Sequence, residues 1–170
     1  MAQRLEVNGK EGQVVVFKLA GETYGVDIAS VAEIIRMESI TRVPRTPEFI
    51  EGVINLRGKV IPVIDLRRRF DLPKGEQSRQ TRIIIVEMGE MVIGMIVDAV
   101  IEVLRVSEES IEPPPAVING VDVIYLRGIA LREERMIILL NLEKILYAHE
   151  KEALQQTELI EVSPGEMQSV

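Results

Sequence analysis

Residues 51–70 read EGVINLRGKVIPVIDLRRRF. Two runs rich in Val and Ile, Val53–Leu56 and Lys59–Ile64, flank Arg57-Gly58, the pattern of two antiparallel strands joined by a tight turn. Gly58 accepts a positive φ without a Cβ clash, so the turn can close. Arg57 is left at the tip. It is either a solvated turn residue or, held on a short hairpin with few conformations to lose, a rigid donor for a carboxylate on another surface.

Upstream of the hairpin, Gln13–Ala20 and Tyr24–Val26 read as strands joined through Gly21-Glu22-Thr23. Asp27 stands where an N-cap belongs. Ile28, Val31, Ile34 and Ile35 then make a stripe, so Asp27–Met37 reads as a short amphipathic helix with Glu33 off the stripe. Ile40–Val43 is expected to be a short strand ended by Pro44. Thr46-Pro47-Glu48 has the cap, proline and early acid of a helix start, with Gly52 closing that turn.

Downstream, Asp65–Phe70 makes one further turn, and Gly75–Gln80 is a polar connector. Arg82–Met88 and Met91–Val97 form the next hairpin about Gly89-Glu90, followed by Asp98–Arg105 with Val100, Val103 and Leu104. Pro113-Pro114-Pro115 is a rigid run. Val121–Arg127 and Met136–Leu140 are expected as the last strands, either side of a polar tip, Arg132–Arg135. From Asn141 the period becomes 3.6, and Leu142, Ile145, Leu146 and Leu154 predict a C-terminal helix. Residues 1–11 and 156–170 are expected to be flexible tails.

The two halves echo one another. Val53-Ile54-Asn55-Leu56-Arg57-Gly58 recurs as Val123-Ile124-Tyr125-Leu126-Arg127-Gly128, and Gly25 and Glu33 are matched by Gly94 and Glu102. A duplicated unit, roughly 13–70 and 81–141, is the reading. Each unit is too small to hide a large core alone, so two small closed barrels with a cleft where they meet are expected. The echo nominates Glu33 with Arg57, and Glu102 with Arg127, as ion pairs that bridge to a hairpin tip.

Composition narrows the function classes. The chain has 170 residues, 46% hydrophobic, 28% charged and 4% aromatic, the balance of a globular domain with a β-rich core. A net charge of −7 argues against nucleic acid, and Arg67-Arg68-Arg69 reads as a solvated strand exit. The N-terminus lacks an apolar signal core, and no run reaches the length of a membrane span, so a cytoplasmic protein is expected. With no cysteine there is no disulfide, thiolate metal site or cysteine nucleophile.

Catalytic parts are missing from the pattern. The lone histidine, His149, lies among charges; no H-E-x-x-H, phosphate loop, G-x-S-x-G or G-x-G-x-x-G occurs; Asp27, Asp65 and Asp98 read as caps and turn residues. The sequence points to no cofactor and no metal. An enzyme acting on a small molecule and a structural oligomer remain the alternatives to a binding module.

Taken together, YGVDIASVAEI, Thr46-Pro47 through EGVINLRGKVIPVIDLRRRF, the Gly94–Asp98 strand end, the proline run and MIILLNLEKIL resemble the CheW family of bacterial chemotaxis adaptors, over roughly Gly12 to Leu146. The resemblance implies a mainly β fold, two intertwined five-stranded SH3-like barrels with short helices and a C-terminal helix, in a single domain spanning 12–150. It implies a non-catalytic protein, monomeric alone, that couples the cytoplasmic tip of methyl-accepting chemotaxis receptors to the regulatory domain of the kinase CheA in a membrane-associated array. The family's receptor surface falls on Val31, Glu33, Gly52, Asn55, Arg57 and Gly58. Its ring-forming contact with CheA falls around Glu112 and Val117, where relatives often carry a bulky aromatic at the latter. The main kinase-docking face is expected from exposed apolar residues on one barrel, with Ile40 and Val43 as candidates.

Overall fold

The computed structural model describes residues 11–46, 50–115, 117–118 and 121–145. The strands are β1 (Glu11–Leu19), β2 (Glu22–Asp27), β3 (Val31–Arg36), β4 (Ile50–Leu56), β5 (Lys59–Asp65), β6 (Arg82–Met88), β7 (Met91–Val97), β8 (Ala99–Ser107), β9 (Ile111–Glu112), β10 (Val117–Ile118), β11 (Val121–Asp122), β12 (Leu126–Arg132) and β13 (Arg135–Leu140). One-turn helices α1 (Leu66–Arg69) and α2 (Leu142–Ile145) follow β5 and β13. One sheet runs β9-β12-β13-β2-β1-β8 and the other β3-β6-β7-β5-β4, while β10 pairs with β11.

Each sheet therefore takes strands from both halves of the chain. The orders β8-β1-β2-β13-β12 and β3-β6-β7-β5-β4 are the same path with the halves exchanged. Register repeats as well: Val31 lies opposite Val86 and Glu33 opposite Ile85 across a bulge, as Val100 lies opposite Phe17 and Glu102 opposite Val16. Both sheets close on themselves. Beyond β3, Thr41 exchanges backbone hydrogen bonds of 2.9 and 2.8 Å with Val53 of β4, and beyond β8, β9 pairs with β12.

The Val/Ile runs have a physical cause in this arrangement. Ile83 and Ile85 of β6 pack inside one barrel with Ile54, Ile61 and Val63, whereas Ile84, Val86 and Met88 face the other way. Val14 and Val16 of β1 fill the second barrel with Ile137 and Leu139, whereas Val15, Phe17 and Leu19 point out of it. Those outward faces meet in the largest core. A strand buried on both faces has no polar alternation to show. Within that shared core Phe17, Tyr24, Phe70 and Tyr125 follow one another at centroid separations of 6.0, 6.3 and 5.5 Å, and the Arg69 guanidinium lies 4.7 Å over the Tyr125 ring.

Four expectations are corrected. The segment read as a helix over Asp27–Met37 is a single 3-10 turn, Ile28–Ser30, followed by β3. Asp27 does cap, its side chain accepting from the Ala29 N–H at 2.9 Å, but the β-branched residues beyond it alternate half-buried and exposed and pair with β6. Ile40–Val43 is not a strand; only Thr41 forms an isolated bridge. Gly52 closes no helix turn. It is a bulge in β4 at φ 154°, where a Cβ would collide with the Thr41 carbonyl and come within 2.7 Å of Ile40 Cγ2. The strand expected over Val121–Arg127 is split by a 3-10 turn at Val123–Tyr125, and β12 runs on through Arg132. The Pro47-Glu48 part of the proposed helix start, the C-terminal helix beyond Ile145 and the tails lie outside the described residues, apart from Glu11 at the start of β1.

Candidate interaction site

The β4–β5 tip is built as its sequence requires. Arg57 and Gly58 both take positive φ, 52° and 88°, the geometry that matches the twist of two antiparallel strands in a two-residue turn. Asn55 braces the turn by accepting the Gly58 N–H at 2.8 Å. Arg57 donates through Nη2 to Glu33 Oε2 of β3, and its side chain stays 69% exposed. Because β3 and β4 are the two edges of one sheet, this pair ties the barrel rim beside the Thr41–Val53 bridge. An ion pair this exposed contributes at most about 1 kcal/mol, so its effect is on position more than on stability.

Around the tip, Val60 is 70% exposed and Ile34 is 39% exposed, while Val31 is half-buried. Lys59-Val60-Ile61-Pro62-Val63 alternates, and placing Ile61 and Val63 inward was enough to place Val60 outward. Ile40 and Val43 are half-buried, Ile40 against Gly52. Glu112 is exposed in the short β9, on the other barrel, and Val117 lies in β10 with its side chain outside the described residues. Val31, Glu33, Gly52, Asn55, Arg57 and Gly58 thus share one barrel.

The second ion pair is corrected. Arg127 pairs with Glu108 at 2.6 Å, and Glu102 pairs with Arg135 at 2.8 Å. The repeated Leu-Arg-Gly is out of structural step. Gly128, where a Cβ would meet Ile111 Cγ2 and the Glu112 carbonyl, stands where Gly52 stands against Ile40 and Thr41. The tip equivalent to Arg57-Gly58 is Glu133-Glu134, both with positive φ, 52° and 71°. Glu102 nevertheless reaches a hairpin tip, by way of Arg135, as Glu33 does by way of Arg57.

The arginine triplet is also corrected: it is engaged rather than solvated. Arg67 meets Asp98, with Nε–Oδ1 at 3.1 Å and Nη2–Oδ2 at 2.6 Å, and donates to the Pro73 carbonyl at 2.6 Å. That hydrogen bond to Asp98 raises the Arg67 pKa. Arg68 lies 3.6 Å from Glu51. Burial lowers the Arg69 pKa, with Tyr125 opposing. Asp65 caps α1 by accepting the Arg67 N–H at 3.0 Å; burial still raises its pKa. Burial pushes the Tyr24 hydroxyl up to about 12, with Glu22 adding to the rise. Among the described residues no group of three or more His, Asp or Glu side chains could hold a metal ion, and no helix is long and apolar enough to cross a membrane.

Comparison with known proteins gives the same architecture a family. Residues 13–150 match the family model described as a CheW-like domain. The chain is similar to the chemotaxis protein CheW of Klebsiella aerogenes, 39% identical over 81% of this chain and 83% of that one. It is 36% identical to CheW of Bacillus subtilis over 79% of this chain and 86% of that protein, and 32% identical to the protein FrzA of Myxococcus xanthus over 85% and 91%. The scaffolding protein TtCheW from Thermoanaerobacter tengcongensis superimposes with a TM-score of 0.76 at 48% identity, covering 85% of this chain and 93% of that one.

Proposed function

The chain belongs to the CheW-like family, and from that premise we propose that it is a chemotaxis coupling adaptor, joining methyl-accepting receptors to the kinase CheA without chemistry of its own. The receptor tip is taken by Val31, Glu33, Gly52, Asn55, Arg57 and Gly58. The kinase regulatory domain is taken by Ile40, Val43, Glu112 and Val117. The observation that carries the reading is the Arg57 guanidinium, exposed yet fixed by a positive-φ turn and by Glu33, on a barrel whose exposed apolar residues include Val60, two positions past the turn, and Ile34, next to Glu33 in β3. A planar cation held in place beside exposed apolar surface suits a helical partner that brings a carboxylate and apolar side chains.

As an adaptor the protein works in the cytoplasm, recruited to receptor arrays by these contacts. It passes receptor state to the kinase as a shift in populations, supplying only differential contacts. The test is binding to an immobilised receptor cytoplasmic fragment. Arg57→Glu and Val31→Asp should each weaken it at least tenfold while circular dichroism stays native. Full-strength binding by both folded variants would overturn this placement.

A further inference from the structure

The chain passes between the two barrels twice, at Asp27–Val31 and at Asp98, the single residue between β7 and β8. The two passages are not alike. Asp98 hydrogen-bonds from its backbone N–H to the Lys18 carbonyl (3.0 Å) and accepts the Ala20 N–H on Oδ2 (2.9 Å), both on or beside β1. From the opposite barrel it receives the two-point contact of Arg67, which follows β5 on α1. The Arg67 side chain is 20% exposed, and Gly75 lies so close over the guanidinium that a Cβ there would overlap it.

Among the described residues the other passage has no such clamp. The strand register that matches Val31 to Val100 puts Ala29 in the place of Asp98. The equivalence of α1 and α2, each led by a buried leucine, puts Glu143 in the place of Arg67. There the Asp27 side chain accepts the Ala29 N–H of its own turn.

We propose that Arg67 and Asp98 are positioning residues for coupling: a one-sided clamp that fixes the angle between the barrels, and with it the relation of the receptor face on one barrel to the kinase contacts divided between them. Three properties suit the pair to this. A two-point Arg–carboxylate contact restrains rotation as well as distance. The third guanidinium hydrogen bond, to Pro73, ties the connector to the same point. The clamp acts on a shared core of interdigitated aliphatic and aromatic side chains, whose van der Waals contacts resist separation but specify rotation less sharply than directional bonds do. The consequence for coupling rests on the adaptor reading; the clamp itself does not.

The chain has no cysteine, so Gln13→Cys on β1 and Glu87→Cys on β6 give two unique spin-label sites, one per barrel, both exposed. Pulsed dipolar spectroscopy on the free protein should give one narrow distance. Arg67→Gln should widen that distribution at least twofold with circular dichroism unchanged, and Arg67→Gln with Asp98→Asn should widen it no further. Gly75→Ala, which keeps both charges and crowds the guanidinium, should widen it too and serves if Arg67→Gln does not fold. In the receptor–kinase assay, Arg67→Gln should bind each partner within threefold of the parent yet lose at least tenfold in receptor control of the kinase. An unchanged distance distribution in the folded variants overturns the clamp, whatever happens to melting temperature. A widened distribution in a protein whose parent binds neither partner keeps the clamp and overturns the adaptor reading instead.

Discussion

Tyr24→Phe should stabilise this protein, although it deletes a polar group from its centre. The Tyr24 side chain is fully buried between Phe17 and Phe70, and its hydroxyl has no hydrogen-bond partner among the described residues. Burying a hydroxyl without a partner costs about 1–2 kcal/mol, and phenylalanine keeps the ring while removing that cost. At neutral pH the variant should therefore be more stable by about 1–2 kcal/mol. Titration adds a second signature. The unfolded hydroxyl ionises near 10, the folded one at about 12. Between those values the folded protein holds a proton that the unfolded chain has lost, so stability is complete below pH 10 and falls as pH rises towards 12. The full fall from this group is about 3 kcal/mol, of which about 2 kcal/mol is reached by pH 11.5, and it should be missing in the variant. Urea melts followed by circular dichroism from pH 7 to 11.5 measure both. A variant less stable than the parent at pH 7 would show the hydroxyl to be satisfied, and parallel pH profiles would refute the burial argument.

Other substitutions test separate parts of the framework. Gly52→Ala should cost about 2–4 kcal/mol in chemical denaturation, because backbone of Thr41 occupies the space and φ is 154°. Asp65→Asn should be neutral or stabilising by up to about 1 kcal/mol in the same assay: asparagine caps as well, and it removes a half-buried charge whose pKa is already raised. Asn141 already does this at the equivalent place before α2, accepting the Lys144 N–H. Asn55→Ala should lower stability by about 1 kcal/mol through loss of the turn brace, and should weaken receptor-fragment binding in proportion to the freedom it gives Arg57.

Much of this was legible from the chain, for identifiable reasons. The hairpins at Arg57-Gly58 and Gly89-Glu90 were read at their true turns because β-branched runs and a glycine act locally. The Glu33–Arg57 pair forms even though the echo that nominates it sets Arg57 beside Arg127, which pairs with Glu108 instead. β3 is not legible in the sequence because Ile28, Val31, Ile34 and Ile35 fit a helical stripe by coincidence, and only pairing with β6 decides between the periods. The Leu-Arg-Gly echo misled for a related reason. Local identity does not set register; the glycines that admit a neighbouring backbone do, and they match Gly52 with Gly128 rather than Gly58 with Gly128. Arg67 looked solvated because its partner, Asp98, is thirty-one residues away and carries no local mark.

The exchange of strands between halves governs how the polypeptide can be made. While β1 and β2 emerge from the ribosome, the neighbours that flank them, β8 and β13, are not yet synthesised. The first hairpin must wait, apolar on both sides, until almost the whole chain is out, so folding is dominated by distant contacts and should be slow. Cutting the gene between the two repeats would accordingly yield no independent barrel, only two fragments each lacking the strands that the other holds.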